Sequence, residues 1–154
     1  MKIGIIELIM DTVSRNWVNS LYATYFRRQF YGIVPQAVSV WCRELGHQVF
    51  YTTYYGQKDP KSLLPNDLDV VFISAFTQAS ALAYALAKLY RREKTLTVIG
   101  GPHAKSFPED CLRFFDIVVK ECDKDMIYKI LRKEFDPPAI VSTDRPLTDL
   151  PTVE

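Results

Sequence analysis

Charge of one sign, long apolar runs and clustered cysteines are all missing from this sequence. Nineteen Lys and Arg stand against eighteen Asp and Glu in 154 residues, a net charge of +1. That balance gives no electrostatic case for a nucleic-acid partner. No stretch of about 18 uncharged apolar residues exists, so no membrane partner or transmembrane helix is expected. The apolar start, residues 3–10, contains Glu7 and runs straight into Asp11 and Arg15, unlike a signal peptide. The three cysteines, Cys42, Cys111 and Cys122, are too scattered for a disulfide framework and fit a reducing cytoplasm. No set of His, Cys and carboxylates has metal-ligand spacing, and no G-x-S-x-G elbow offers a nucleophile. What is present is enough apolar material for one core: 48% of the residues are hydrophobic, and the length suits a single domain.

Continuous rather than alternating apolar runs mark strands covered on both faces, as in a parallel sheet. Such runs fall at residues 3–6 and 69–74, and residues 47–54, 95–99 and 115–119 also read as strands. Between them lie helical patterns. Val34, Ala37, Val38, Trp41, Cys42 and Leu45 share one face, with Pro35 in the first turn and Gly46 past the end. Ala79, Leu82, Ala83, Leu86 and Leu89 form the inner face of a helix over about 78–92. Ser106 and Glu109 read as a capping box opening a short helix. Met126, Ile127, Ile130 and Leu131 mark a last helix over 123–134. Five strands alternating with helices predict an α/β, flavodoxin-like (Rossmann-like) three-layer sandwich with a five-stranded parallel sheet in the order 2-1-3-4-5. Residues 135–154 hold four of the nine prolines and read as a linker, with room for one extra strand at 139–142.

In such a sheet ligands sit beyond the carboxyl ends of the strands. Ser74 and Thr77 offer hydroxyls there, and Gly100 and Gly101 allow close approach to the backbone. The same residues also suit helix capping and a tight turn. Ser74 replaces the Asp that a phosphoryl-accepting receiver needs at the end of its third strand. The residues after the first strand, Leu8-Ile9-Met10-Asp11-Thr12, are neither a flavodoxin phosphate loop nor a G-x-G-x-x-G dinucleotide fingerprint. His103 reads as a polar turn residue or as a neighbour of a bound group, and His47 as structural. Cys42 reads as a small hydrophobe. Cys122, just ahead of a helix, is the best candidate for a reactive thiol. The aromatics between Trp17 and Tyr31, with Arg15, Arg27 and Arg28 among them, suit a core cap, a ligand cover or a docking surface.

The run Leu68-Asp69-Val70-Val71-Phe72-Ile73-Ser74, then Val98-Ile99-Gly100-Gly101-Pro102-His103-Ala104, Phe107-Pro108-Glu109-Asp110 and Asp116-Ile117-Val118-Val119, resembles the N-terminal cobalamin-binding domain of cobalamin-dependent radical S-adenosylmethionine (SAM) enzymes. The resemblance covers residues 1–134, and the Pro-rich tail is similar to the connection into the radical SAM barrel of those proteins. It implies that cobalamin is held at the sheet edge by Ser74, Phe76, Thr77, Gly100, Gly101, Pro102 and His103. It also implies a barrel domain in cis that carries SAM and a 4Fe–4S cluster and performs methyl transfer or related radical chemistry. Such a barrel needs three closely spaced cysteines, so on this reading the chain is one domain of a longer enzyme or a free-standing relative and does not cleave SAM alone. Asp11-Thr12-Val13-Ser14-Arg15-Asn16 lacks the His of the D-x-H-x-x-G cobalt-ligand motif, and Lys120-Glu121-Cys122-Asp123 stands where the family has Gly-Glu-Gly-Glu. The alternative is a degenerate domain of the same fold that binds no cofactor and serves as scaffold or docking unit.

Overall fold

The computed structural model describes residues 1–9, 32–56, 58–145 and 151. Six strands form one sheet: β1 (Lys2–Leu8), β2 (Gln48–Tyr54), β3 (Val70–Ser74), β4 (Leu96–Gly100), β5 (Ile117–Val119) and β6 (Ala139–Val141). Every pairing is parallel and the order is β2-β1-β3-β4-β5-β6. The first five positions follow the expected flavodoxin-like order. The expected count of five is corrected to six. The extra strand foreseen in the tail pairs with β5 in register, Ile117 with Ala139 and Val119 with Val141. It gives the backbone edge of β5 a partner, with Ala139 N–H donating to Asp116 O at 3.0 Å and Lys120 N–H to Val141 O at 2.9 Å.

Helices cover both faces. α1 (Ile33–Glu44) buries Ala37, Val38, Trp41 and Cys42, the face read from the spacing, and Gly46 follows its end at φ 79°. α2 (Ser80–Arg92) buries Ala83, Leu86, Ala87 and Tyr90. Its inner stripe is rotated from the expected one, because Tyr90 rather than Leu89 reaches the sheet. α3 (Pro102–Ser106) and α4 (Pro108–Leu112) are single turns, and α5 (Lys124–Leu131) buries Ile127, Ile130 and Leu131. The capping box does not form. Ser106 closes α3, Phe107 holds the N-cap position of α4 without any side-chain bond, and Pro108 supplies the first turn. Pro108 has no N–H and its φ is preset for a helix, so the turn begins without a side-chain cap.

Strand alternation sends Ile3 and Ile5 of β1 to one face and Ile6 and Leu8 to the other. The first face packs Ile3, Ile5, Val70, Phe72, Val98 and Ile117 beneath α1 and α5. The second packs Ile6, Leu8, Val71, Ile73, Ile99 and Val118 beneath α2, α3 and α4. Among the described residues, no helix is long and apolar enough to cross a membrane. The aromatic and arginine-containing stretch at 10–31, including Asp11 to Asn16, lies outside the described residues, as do 146–150 of the tail.

Candidate functional site

Register decides what meets at the carboxyl edge of the sheet. Glu7 of β1 pairs with Ser74 of β3, and Ser74 pairs with Gly100 of β4. The next row on the same face, two residues earlier, is Ile5, Phe72 and Val98. The apolar row floors a cavity of about 360 Å³, and the Glu7–Ser74–Gly100 row forms its upper wall. Val38 and Pro35 of α1 close one side, and Ile127 of α5 and Cys122 the other. The volume falls near the low end of the roughly 300–1,000 Å³ typical of small-molecule sites.

Gly100 and Gly101 play different parts. A Cβ built on Gly100 would meet nothing closer than Val119 O at 3.9 Å, so the missing side chain leaves cavity. Gly101 sits at φ 92°, a region that disfavours L side chains, and its Cβ would lie 3.0 Å from Ser74 Oγ and 3.1 Å from Ala75 O. Gly101 is therefore required by the turn into Pro102, whereas Gly100 is required by nothing but the space. His103 N–H donates to Ala75 O at 3.0 Å and Ala75 N–H to Gly100 O at 3.2 Å, tying the β3 and β4 ends together.

Of the residues expected at the site, Ser74, Phe76, Gly100, Gly101 and Pro102 line the cavity. Phe76 stands at its mouth, 56% exposed, beside the exposed Ile33 and Val34 of α1. Thr77 is exposed and opens a short 3-10 turn to which no side chain provides a cap. His103 points to the other face, 4% exposed, where its Nε2 lies 2.7 Å from the Tyr84 hydroxyl. That hydroxyl also donates to Asp110 Oδ2 at 2.7 Å. His103 Nδ1 is buried without a partner among the described residues, and burial pulls the imidazole below its ordinary value of 6.5 against the opposing pull of Asp110. His103 is thus neither an exposed turn residue nor part of the cavity.

Glu7 is the cavity residue that the sequence reading did not assign. It is 5% exposed, and its two oxygens accept from Gly32 N–H and, at 2.6 Å, from the Tyr51 hydroxyl. The available signal was an acid inside an otherwise apolar strand. Lys105 and Glu121, both exposed, form an ion pair at the cavity's outer rim, and Lys120 lies beside them.

The expectation for Cys122 is reversed. Its thiol lines the cavity but is pushed up to about 11, chiefly by burial and then by Asp123 and Glu121. The helix N-terminus that would have acidified it is taken by Asp123, whose carboxylate accepts from Met126 N–H at 2.8 Å. Cys42 behaves as the expected small hydrophobe, buried and with its thiol raised to about 12 by burial. Among the described residues, no group of three or more His, Cys, Asp or Glu side chains is placed to hold a metal ion.

Compared with protein-family models, with curated proteins and with solved structures, the chain matches none. Apolar walls with one hydroxyl and one buried carboxylate are equipped to hold a flat, largely apolar group and to orient it by hydrogen bonds.

Proposed function

We propose that this domain holds a corrinoid, cobalamin, at the carboxyl edge of its sheet and presents it to a radical SAM domain in cis. The observation that carries the proposal is the open flank of Gly100 above an apolar cavity, at the sheet edge where the sequence resembles a cobalamin-binding domain. A volume of about 360 Å³ suits a planar base such as the nucleotide tail of the cofactor and is too small for the whole macrocycle. The tail would enter between Gly100, Phe72 and Val38, with Ser74 Oγ as a hydrogen-bonding group at the entrance. The macrocycle would rest outside, on the exposed faces of Phe76, Ile33 and Val34, whose apolar surface is otherwise spent on water. Gly101 and Pro102 keep the β4 end turned away from the opening.

When bound, the cofactor supplies a methyl carrier or assists a radical reaction. The chain's own residues bind it, orient it and exclude water from its tail. His103 is buried beside Tyr84 on the opposite face of the sheet and would take no part in holding the cofactor.

The test is retention of colour. Protein mixed with hydroxocobalamin should stay red through gel filtration, and Gly100→Trp should lose the colour while keeping its circular dichroism. A variant that stays red moves the site elsewhere. Unmodified protein that elutes colourless favours the cofactor-free scaffold.

A further inference from the structure

Charge is distributed unevenly with depth in the cavity. The exposed Lys105–Glu121 pair and Lys120 lie at the outer rim, where water screens them. Among the described residues, the inner wall at the β1 end carries a single charged group, Glu7, more than nine-tenths buried. A carboxylate has about four acceptor sites, and Gly32 N–H and the Tyr51 hydroxyl occupy two. Among the described residues, no cation pairs with it. A buried carboxylate beside an apolar cavity repels anions and gains from any donor brought to it, because little water intervenes.

We propose that Glu7 is the specificity-determining residue of this cavity: it accepts a hydrogen bond from a neutral or cationic N–H or O–H donor on an aromatic ligand and keeps anionic groups out of the inner end. Ser74 Oγ, next in the same row, completes the polar edge. Anionic parts of a ligand stay at the rim beside Lys105 and Lys120. The cavity therefore refuses a phosphate at the β1 end, the place where a nucleotide-binding sheet of this type would seat one. This inference rests on the cavity being a ligand site, and its test uses probes other than the corrinoid.

Two fluorescent dyes share one anilinonaphthalene body. N-phenyl-1-naphthylamine is neutral with an N–H donor, and 8-anilinonaphthalene-1-sulfonate is anionic. Fluorescence titration should show the neutral dye bound more tightly by the unmodified protein. Glu7→Gln keeps the size of the side chain and one acceptor oxygen while removing the charge, and should shift the neutral-to-anionic affinity ratio by about tenfold towards the anionic dye. Gly100→Leu should weaken both dyes, which places them in this cavity. A second measurement needs no variant: benzimidazole should displace the neutral dye at least about tenfold better than benzimidazole-5-carboxylate. An unchanged ratio in Glu7→Gln, equal displacement by the two benzimidazoles, or no binding of either dye overturns the assignment of Glu7. Dye selectivity together with colourless protein after hydroxocobalamin upholds Glu7 and removes the corrinoid. Retained colour with no charge selectivity does the reverse.

Discussion

On the face covered by α2, α3 and α4 the last side chains of the central strands are Leu8, Ile73 and Ile99, each at most 1% exposed. On the face covered by α1 and α5 they are Glu7, Ser74 and Gly100. The same three strands thus end in a filled layer on one side and a cavity on the other. The difference lies in one row of side chains. Branched aliphatics pack with Phe115, Ala104 and Cys111 in one buried cluster, whereas an acid, a hydroxyl and a hydrogen atom leave open the space under α1 and α5. An open α/β sheet offers a ligand site at its carboxyl edge by topology, and the size of the last residues decides which face takes it.

Emptying the filled side should have the largest effect. Phe115 is fully buried there, and Phe115→Ala should lower stability by about 3–5 kcal/mol in urea denaturation. Val38→Ala, on the cavity wall, should cost roughly 1 kcal/mol, because it enlarges a gap already present. Equal costs would mean that the cavity side is as tightly packed as the other.

A smaller effect separates the two glycines. Gly101→Ala forces a side chain into positive φ against Ser74 Oγ and Ala75 O, and should cost about 1–3 kcal/mol. Gly100→Ala points into open space and should stay within about 0.5 kcal/mol of the parent. Thermal or urea unfolding of the pair gives the difference directly. A loss at Gly100 as large as that at Gly101 would show that the space beside Gly100 is filled.

The smallest effect sharpens the filled face. Burial holds the His103 imidazole below its ordinary 6.5, so the unfolded chain binds a proton there more readily than the folded one. Its contribution is complete above pH 6.5 and is lost as pH falls through the lowered folded value. The melting temperature should fall on acidification through that window, and His103→Gln should flatten the fall. His47, lowered mainly by burial as well, remains in both proteins and cancels in the comparison. An identical slope in the two proteins would place the titration elsewhere.

Much of this architecture was legible from periodicity. Continuous apolar runs marked β1 and β3, apolar-rich segments marked β2, β4 and β5, and the spacing of Val34 to Leu45 marked α1 with its buried face. What periodicity missed is short or long-range. The strand at 139–142 was foreseen, but not that it joins the sheet: β6 has three residues and is held by the backbone edge of β5. Ser106 and Glu109 carry a capping pattern, yet Pro108 starts the helix between them. Cys122 precedes a helix, but burial and two neighbouring acids outweigh the helix terminus. Ser74, Gly100 and Gly101 were found because the ends of strands can be read in sequence. Glu7 escaped because its importance lies in register, which aligns it with Ser74 across 67 residues of chain.

By itself the sequence determined the layered α/β architecture, since local apolar periodicity selects strand or helix and continuous runs require cover on both faces. It also named the edge at which a ligand would sit. Tertiary packing sets which of those edge residues face a common cavity, turns His103 to the opposite layer, and puts the buried Glu7 at the inner end. Those outcomes depend on strand register and helix docking, which bring together residues far apart in the chain and carry no signature in any local window.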